Sequence, residues 1–265
     1  MKNLSSAEKA LIHKDFHEVW DSKMARNTMM VVPLVLVLAV PILFLVIINT
    51  VPASQMNGVD KMMKMLPLEI RYFNPKQGMF YIMTNMLFPM FFLMIPLMSS
   101  SVAAASSFVG ERERGTLETL LLTPLNPKKV FKAKVIGCIL LSALVSALSF
   151  LVFAIVISVG DIMLKMPFFL NWSWLVLILL FAPGVTVFGV VFMVLISAKS
   201  KSYIESVQTS GYIVLPLVLL FLGEFTGLFT LNAVAFLVIS VCIIILDVII
   251  WTITSRSFKT EKLLK

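Results

Sequence analysis

Charged residues are scarce in this sequence. Only 14% of its 265 residues are Asp, Glu, Lys or Arg, whereas 59% are hydrophobic. Soluble globular domains are about 45–50% apolar. The composition therefore excludes an ordinary soluble domain and predicts an all-α polytopic membrane protein.

Cysteine is almost absent, since the chain has only Cys138 and Cys242. Both lie in apolar stretches far apart, which excludes a disulfide framework and predicts two small core residues. His13, His17 and Asp21 are spaced i, i+4, i+8 and could ligate a metal. No further ligand is close in sequence, so the polar edge of a helix is the favoured interpretation, and no metal is expected.

Basic residues outnumber acidic ones and give a net charge of +8. They are scattered between apolar segments rather than gathered in one patch, so nucleic acid is not an expected partner. Six apolar runs come close to the roughly 20 residues that a bilayer requires. They cover residues 29–49, 80–108, 130–157, 174–197, 210–222 and 231–254, and the fifth is short unless it starts near Tyr203.

The distribution of Lys and Arg predicts the orientation of these spans. With the N-terminus inside, 17 of the 22 basic residues fall in cytoplasmic segments and 5 outside. The positive-inside rule therefore places both termini, including the tail at 255–265, in the cytoplasm of a cell that we expect to be bacterial or archaeal.

The segment 1–28, before the first span, is predicted to be an amphipathic interfacial helix. Ser5 and Glu8 have the capping-box spacing, and Leu11, Ile12, Phe16, Val19 and Trp20 share one half of the helix. A cleaved signal peptide is disfavoured because the apolar run that follows is too long and the preceding region carries acids. The permease domain is predicted to span 29–254, with an external segment at 50–79 that is too small for a core of its own.

The stretch "GERERGTLETLLLTPL" at 110–125 is predicted to be cytoplasmic. Its glycine spacing resembles a phosphate-binding loop, but Thr116 stands where that loop needs Lys, which argues against an ATP site. A short helix starting near Glu111 would align Leu117, Leu120 and Leu121 in an apolar stripe. The pattern fits a membrane-surface anchor and a helix that docks into another protein equally well.

Polar side chains are few within the predicted spans. Thr84 and Asn85 could line a substrate path, and interhelical hydrogen bonding explains them equally well. Asp247 is the only acid well inside a predicted span. It could serve a proton or cation relay, although pairing with a nearby basic group is favoured, because it lies in the cytoplasmic half of its span.

The run "GERERGTLETLLLTPLNPKKVFKAK" closely resembles the segment between the second and third spans of permease subunits of ATP-binding-cassette exporters, the type 2 transporter family. The segment 198–220 resembles that family's stretch between the fourth and fifth spans. Six spans and an amphipathic N-terminal helix fit as well.

This resemblance implies a coupling helix at 110–125 that docks on a separate ATPase subunit. The implied contact residues are Glu111, Arg112, Glu113, Arg114, Gly115, Thr116, Leu117, Glu118, Leu120 and Leu121. A second contact is implied at Tyr203, Glu205 and Gln208.

The implied assembly has two cytoplasmic ATPase subunits, a second permease copy or paralogue, and surrounding membrane lipids. This chain would be no enzyme and would hold no cofactor, because ATP and Mg²⁺ would bind to the ATPase subunits. An ion-coupled secondary transporter using Asp247 and a non-transporting membrane anchor or immunity protein that recruits an ATPase are the alternatives.

Overall fold

A computed structural model describes residues 6–52, 73–115, 127–197, 200, 202–226, 228 and 230–257. The described residues form helices and turns, with no strand among them. Seven helices follow one another in these ranges. They are α1 (Ser6–Asp21), α2 (Lys23–Thr50), α3 (Pro75–Glu113), α4 (Pro127–Leu164), α5 (Trp172–Ser197), α6 (Tyr203–Glu224) and α7 (Ala233–Ser257).

Six of these helices, α2 to α7, are long and apolar enough to cross a membrane. Six spans were predicted, and the number is confirmed. The fifth reaches spanning length because α6 starts at Tyr203, where Ser202 caps the helix by accepting a hydrogen bond from the N–H of Glu205 (3.2 Å).

Helix α4 is longer than the predicted span 130–157, since it continues to Leu164. At a rise of 1.5 Å per residue, the length of this helix far exceeds the thickness of a bilayer core, which is about 30 Å. The extension contains an acid, Asp161, which is 5% exposed and accepts a hydrogen bond from the N–H of Phe169 (2.9 Å). Asp161 lies close to the last residue of this long helix, and Asp247 remains the only acid within the predicted spans.

Helix α1 packs against the start of α4. Ile12 contacts Val130 and Ala133, and Val19 is buried in the main core. Trp20, on the predicted apolar half of α1, is 42% exposed. The chain then turns at Ser22, whose hydroxyl accepts a hydrogen bond from the N–H of Ala25 at the start of α2.

The core is centred on α3, which packs against α2, α4 and α5, while α7 packs against α5. Its middle is aromatic, with the rings of Phe92, Phe150, Phe153 and Trp174 in mutual contact. Helix α3 contains two π-helical turns, Met83–Leu87 and Ala105–Gly110. Such turns change the direction in which the following side chains point, and the second one directly precedes Glu111.

Candidate functional site

Helix α3 continues through Glu111 and ends at Glu113. Residues 111–113 therefore belong to α3 rather than to the start of a separate helix, because Glu and Arg are good helix formers and extend α3 beyond the apolar run. The rest of the predicted coupling helix, 116–125, lies outside the described residues. Gly115 ends it with φ 69°, a left-handed conformation that glycine adopts without strain. We call residues 111–115 the α3 terminal turn.

Glu111 is completely buried, and each of its carboxylate oxygens pairs with a lysine from a different helix. Oε1 lies 2.8 Å from Nζ of Lys14 on α1, and Oε2 lies 2.7 Å from Nζ of Lys134 on α4. Lys134 is 1% exposed and also donates hydrogen bonds to the carbonyl and hydroxyl oxygens of Ser107. The ion-pair cluster therefore joins α1, α3 and α4.

Arg112 and Glu113 connect the α3 terminal turn to the segment between α5 and α6. The Arg112 guanidinium donates a hydrogen bond to the carbonyl of Ser200. The N–H of Tyr203 donates one to Glu113 Oε2 at 3.0 Å. The two segments that the resemblance implies as separate cytoplasmic contacts are thus adjacent in the fold.

Together these segments present an exposed polar surface, which we call the basal face. Its exposed residues are Arg112, Glu113, Arg114, Gly115, Glu205 and Gln208. Tyr203 is half-buried at its edge, and Glu111 lies underneath with no surface of its own. Thr116, Leu117, Glu118, Leu120 and Leu121 lie outside the described residues.

Thr84 and Asn85 lie in the first π-helical turn of α3. Asn85 Oδ1 accepts a hydrogen bond from the side-chain amide of Asn171 (2.5 Å), whose own oxygen caps α5. Interhelical hydrogen bonding was one of the two roles predicted for Asn85, and the structure contains such a bond. The Thr84 hydroxyl is buried and has no hydrogen-bond partner in the described part of the chain.

Asp247 belongs to a buried stripe of α7 that also contains Phe236, Ser240 and Thr254. Its Oδ1 has no hydrogen-bond partner in the described ranges, and no cation there pairs with it. The pairing with a basic group that the sequence favoured is therefore not found among these residues.

A cavity of about 370 Å³ opens between α3, α4 and α5. Its walls include Phe92, Ala147 and Pro183 and are almost entirely apolar. Thr84, Asn85 and Asp247 are not among the residues that line this cavity. The three residues predicted for a substrate path are thus not brought together around this space.

A model of the ABC-2 family of transporter proteins matches residues 57–251, which is more than half of the chain. The chain belongs to the ABC-2 transporter family. It is accordingly a multi-pass membrane protein and the permease component of an ABC transporter, which is a transport subunit rather than a catalytic one. Searches among curated proteins and among solved structures found no match.

Within this ABC-2 permease, sequence inspection missed the two lysines that surround Glu111. Lys134 falls inside the predicted span 130–157, where a cation needs a partner. The sequence therefore contained an indication that Lys134 pairs with an acid. Lys14 stands on the polar half of α1 and resembles its solvated neighbours, so nothing in the sequence distinguishes it.

Proposed function

We propose that the chain is the membrane permease of an ATP-driven exporter. It works with a second permease, a copy or a paralogue, and with two cytoplasmic ATPase subunits that bind ATP and Mg²⁺. Both termini face the cytoplasm of a bacterial or archaeal cell. The family supports the permease and the ATPase partner, and export and stoichiometry are our proposal.

The observation that supports coupling most directly is the convergence of two distant segments on the basal face. The bonds Arg112–Ser200 and Glu113–Tyr203 connect the end of α3 to the start of α6. An ATPase that docks there would push on two spans at once. Both spans would then move as rigid elements and change which side of the membrane has access to the substrate.

The surface is also chemically suited to a protein partner. It carries acidic and basic side chains side by side, with the exposed Ile204 between Tyr203 and Glu205. Mixed charge of this kind gives an interface its orientation and specificity. The leucine-rich residues that follow Gly115 in sequence would supply the apolar part.

Purification of the chain from its native membrane tests this proposal. We expect an ATPase subunit to co-purify, and we expect Glu118→Lys to abolish that association while the chain still inserts. A matched control is Lys132→Glu, a charge reversal of similar size at an exposed position of α4. Full ATPase activity and transport in the purified Glu118→Lys complex would contradict the coupling assignment.

A further inference from the structure

Glu111 is buried, whereas a residue that contacts a docking partner directly must be exposed. It is 0% exposed, and its carboxylate lies between two ammonium groups from α1 and α4. The surface available to a partner begins at the next residue, Arg112. A protein bound to the basal face would therefore reach Glu111 only through its neighbours.

We infer that Glu111 is a positioning residue that joins α1 and α4 to the α3 terminal turn, so that displacement of the turn moves both helices. The inference rests on the proposed function for the source of that displacement. It assigns α1 a role as a moving element of the transporter rather than a passive membrane-surface helix.

The two ion pairs of Glu111 differ in how firmly they are held. Lys134 is buried, is bonded twice to Ser107, and lies 5.9 Å from the centre of the Phe108 ring. Breaking a buried pair leaves an uncompensated charge, which is strongly unfavourable. The joint between α3 and α4 is therefore the rigid one.

The Lys14 side chain is 48% exposed, so water can replace its partner when the pair separates. Breaking a partly exposed pair therefore costs much less than breaking a buried one. The Lys14–Glu111 bond is thus the weaker of the two connections, and the coupling of α1 to the α3 terminal turn depends on it.

Apolar packing does not make this ion pair redundant. Ile12 packs on Val130 and Ala133 near the start of α4, and Gly137 lies against Ile12. Those contacts hold α1 to α4, whereas Lys14 ties α1 to the end of α3. Loss of Lys14 should leave α1 on α4 but remove its ion pair with the α3 terminal turn.

The first test measures the mobility of α1 without any partner. A spin label at His17→Cys, an exposed position, is introduced in a background with Cys138→Ala and Cys242→Ala. We expect Lys14→Met to increase the label's mobility, Lys14→Arg to restore it, and Lys132→Met to leave it unchanged. Equal mobility in Lys14→Met and the parent would overturn the inference.

The second test uses the native complex with its ATPase. We expect Lys14→Met to retain the bound ATPase and its KM for ATP but to lower kcat about fivefold, the factor that about 1 kcal/mol corresponds to. Lys14→Arg should restore kcat, and Lys132→Met should not alter it. An unchanged kcat, or loss of ATPase binding in Lys14→Met, would overturn the inference.

Glu111→Gln is the complementary variant, expected to lower kcat further with the ATPase still bound. Should it fail to fold, the Lys14 variants still decide the question. Absence of any ATPase from the wild-type preparation would refute the proposed function instead, and the mobility test would then still report whether Lys14 holds α1.

Discussion

Lys134 and Glu111 form an ion pair with almost no solvent exposure. An isolated charge at this depth would be costly. Here the two charged groups are close together, Ser107 accepts two further hydrogen bonds from Lys134, and Lys14 pairs with the other carboxylate oxygen of Glu111. We expect such a pair to add little net stability compared with apolar side chains. We expect its main effect to be that it favours one packing arrangement of α3 against α4.

Asp247 on α7 is a buried carboxylate of a different kind, because one of its oxygens has no hydrogen-bond partner among the residues that the structure describes. Leaving a buried polar group unpaired costs about 1–3 kcal/mol. We expect Asp247→Asn to leave the melting temperature equal or higher and to leave ATP hydrolysis by the complex unchanged. Differential scanning fluorimetry and an ATPase assay measure these.

The control for Asp247→Asn is Ser240→Ala, which alters the same buried stripe of α7 and removes only a bond to the carbonyl of Phe236. A small effect, within about 0.5 kcal/mol, is expected there. Transport driven by an ion gradient without ATP, and lost in Asp247→Asn, would favour the secondary-transporter alternative.

At the scale of helices, one glycine of α5 lies tightly against α3. A Cβ added at Gly189 would lie 2.0 Å from Ser100 Oγ and 3.2 Å from Ser100 Cβ. Small residues allow membrane helices to approach closely, which is how they gain packing energy in lipid. Gly189 and Ser100 therefore determine how near α5 lies to the most central span.

Gly189→Ala should destabilise the protein by about 1–3 kcal/mol, because the added methyl group forces α3 and α5 apart. Unfolding in mixtures of mild detergent and dodecyl sulfate measures this change. The double variant Gly189→Ala, Ser100→Gly should recover part of the loss, since the Ser100 atoms that clash are gone. Gly211→Ala is the control, because no atom of the described residues beyond its own helical turn lies within 4 Å of its added Cβ.

The elements themselves were largely predictable, and their ends were not. Six spans follow from hydrophobicity because a bilayer demands long apolar helices. The ends of α3 and α4 were misplaced because hydrophobicity stops at the membrane boundary, whereas backbone hydrogen bonding continues. The burial of Glu111 between lysines of α1 and α4 was consequently not predicted.

At the scale of the whole molecule, the predicted orientation of the chain in the membrane can be tested by labelling residues expected on opposite sides. His17 on α1 and Phe168 between α4 and α5 are both exposed and are separated by three spans. With Cys138→Ala and Cys242→Ala, we expect His17→Cys to react with a membrane-impermeant maleimide only after cells are permeabilised. Phe168→Cys should react in intact cells, and the reverse pattern would contradict the positive-inside prediction.

The candidate site could be predicted only in part. Its segments were found because charged runs between apolar spans are conspicuous, and their pattern resembles that of a family. Their meeting was not predictable, since the bonds from Arg112 to Ser200 and from Glu113 to Tyr203 bridge about ninety residues of sequence. The ion pair between Lys14 and Glu111 is a tertiary contact of the same kind.

The central claim is that the basal face is where an ATPase engages this permease. Site-specific photo-crosslinking in the native membrane tests it most directly, with a photoreactive residue at Arg114 or Gln208 on that face and a control at Phe168, which is 62% exposed elsewhere. We predict a crosslink from positions 114 and 208 to an ATP-binding subunit and none from position 168. Crosslinks from 114 and 208 to lipid alone, with no ATP-binding protein captured, would contradict the account.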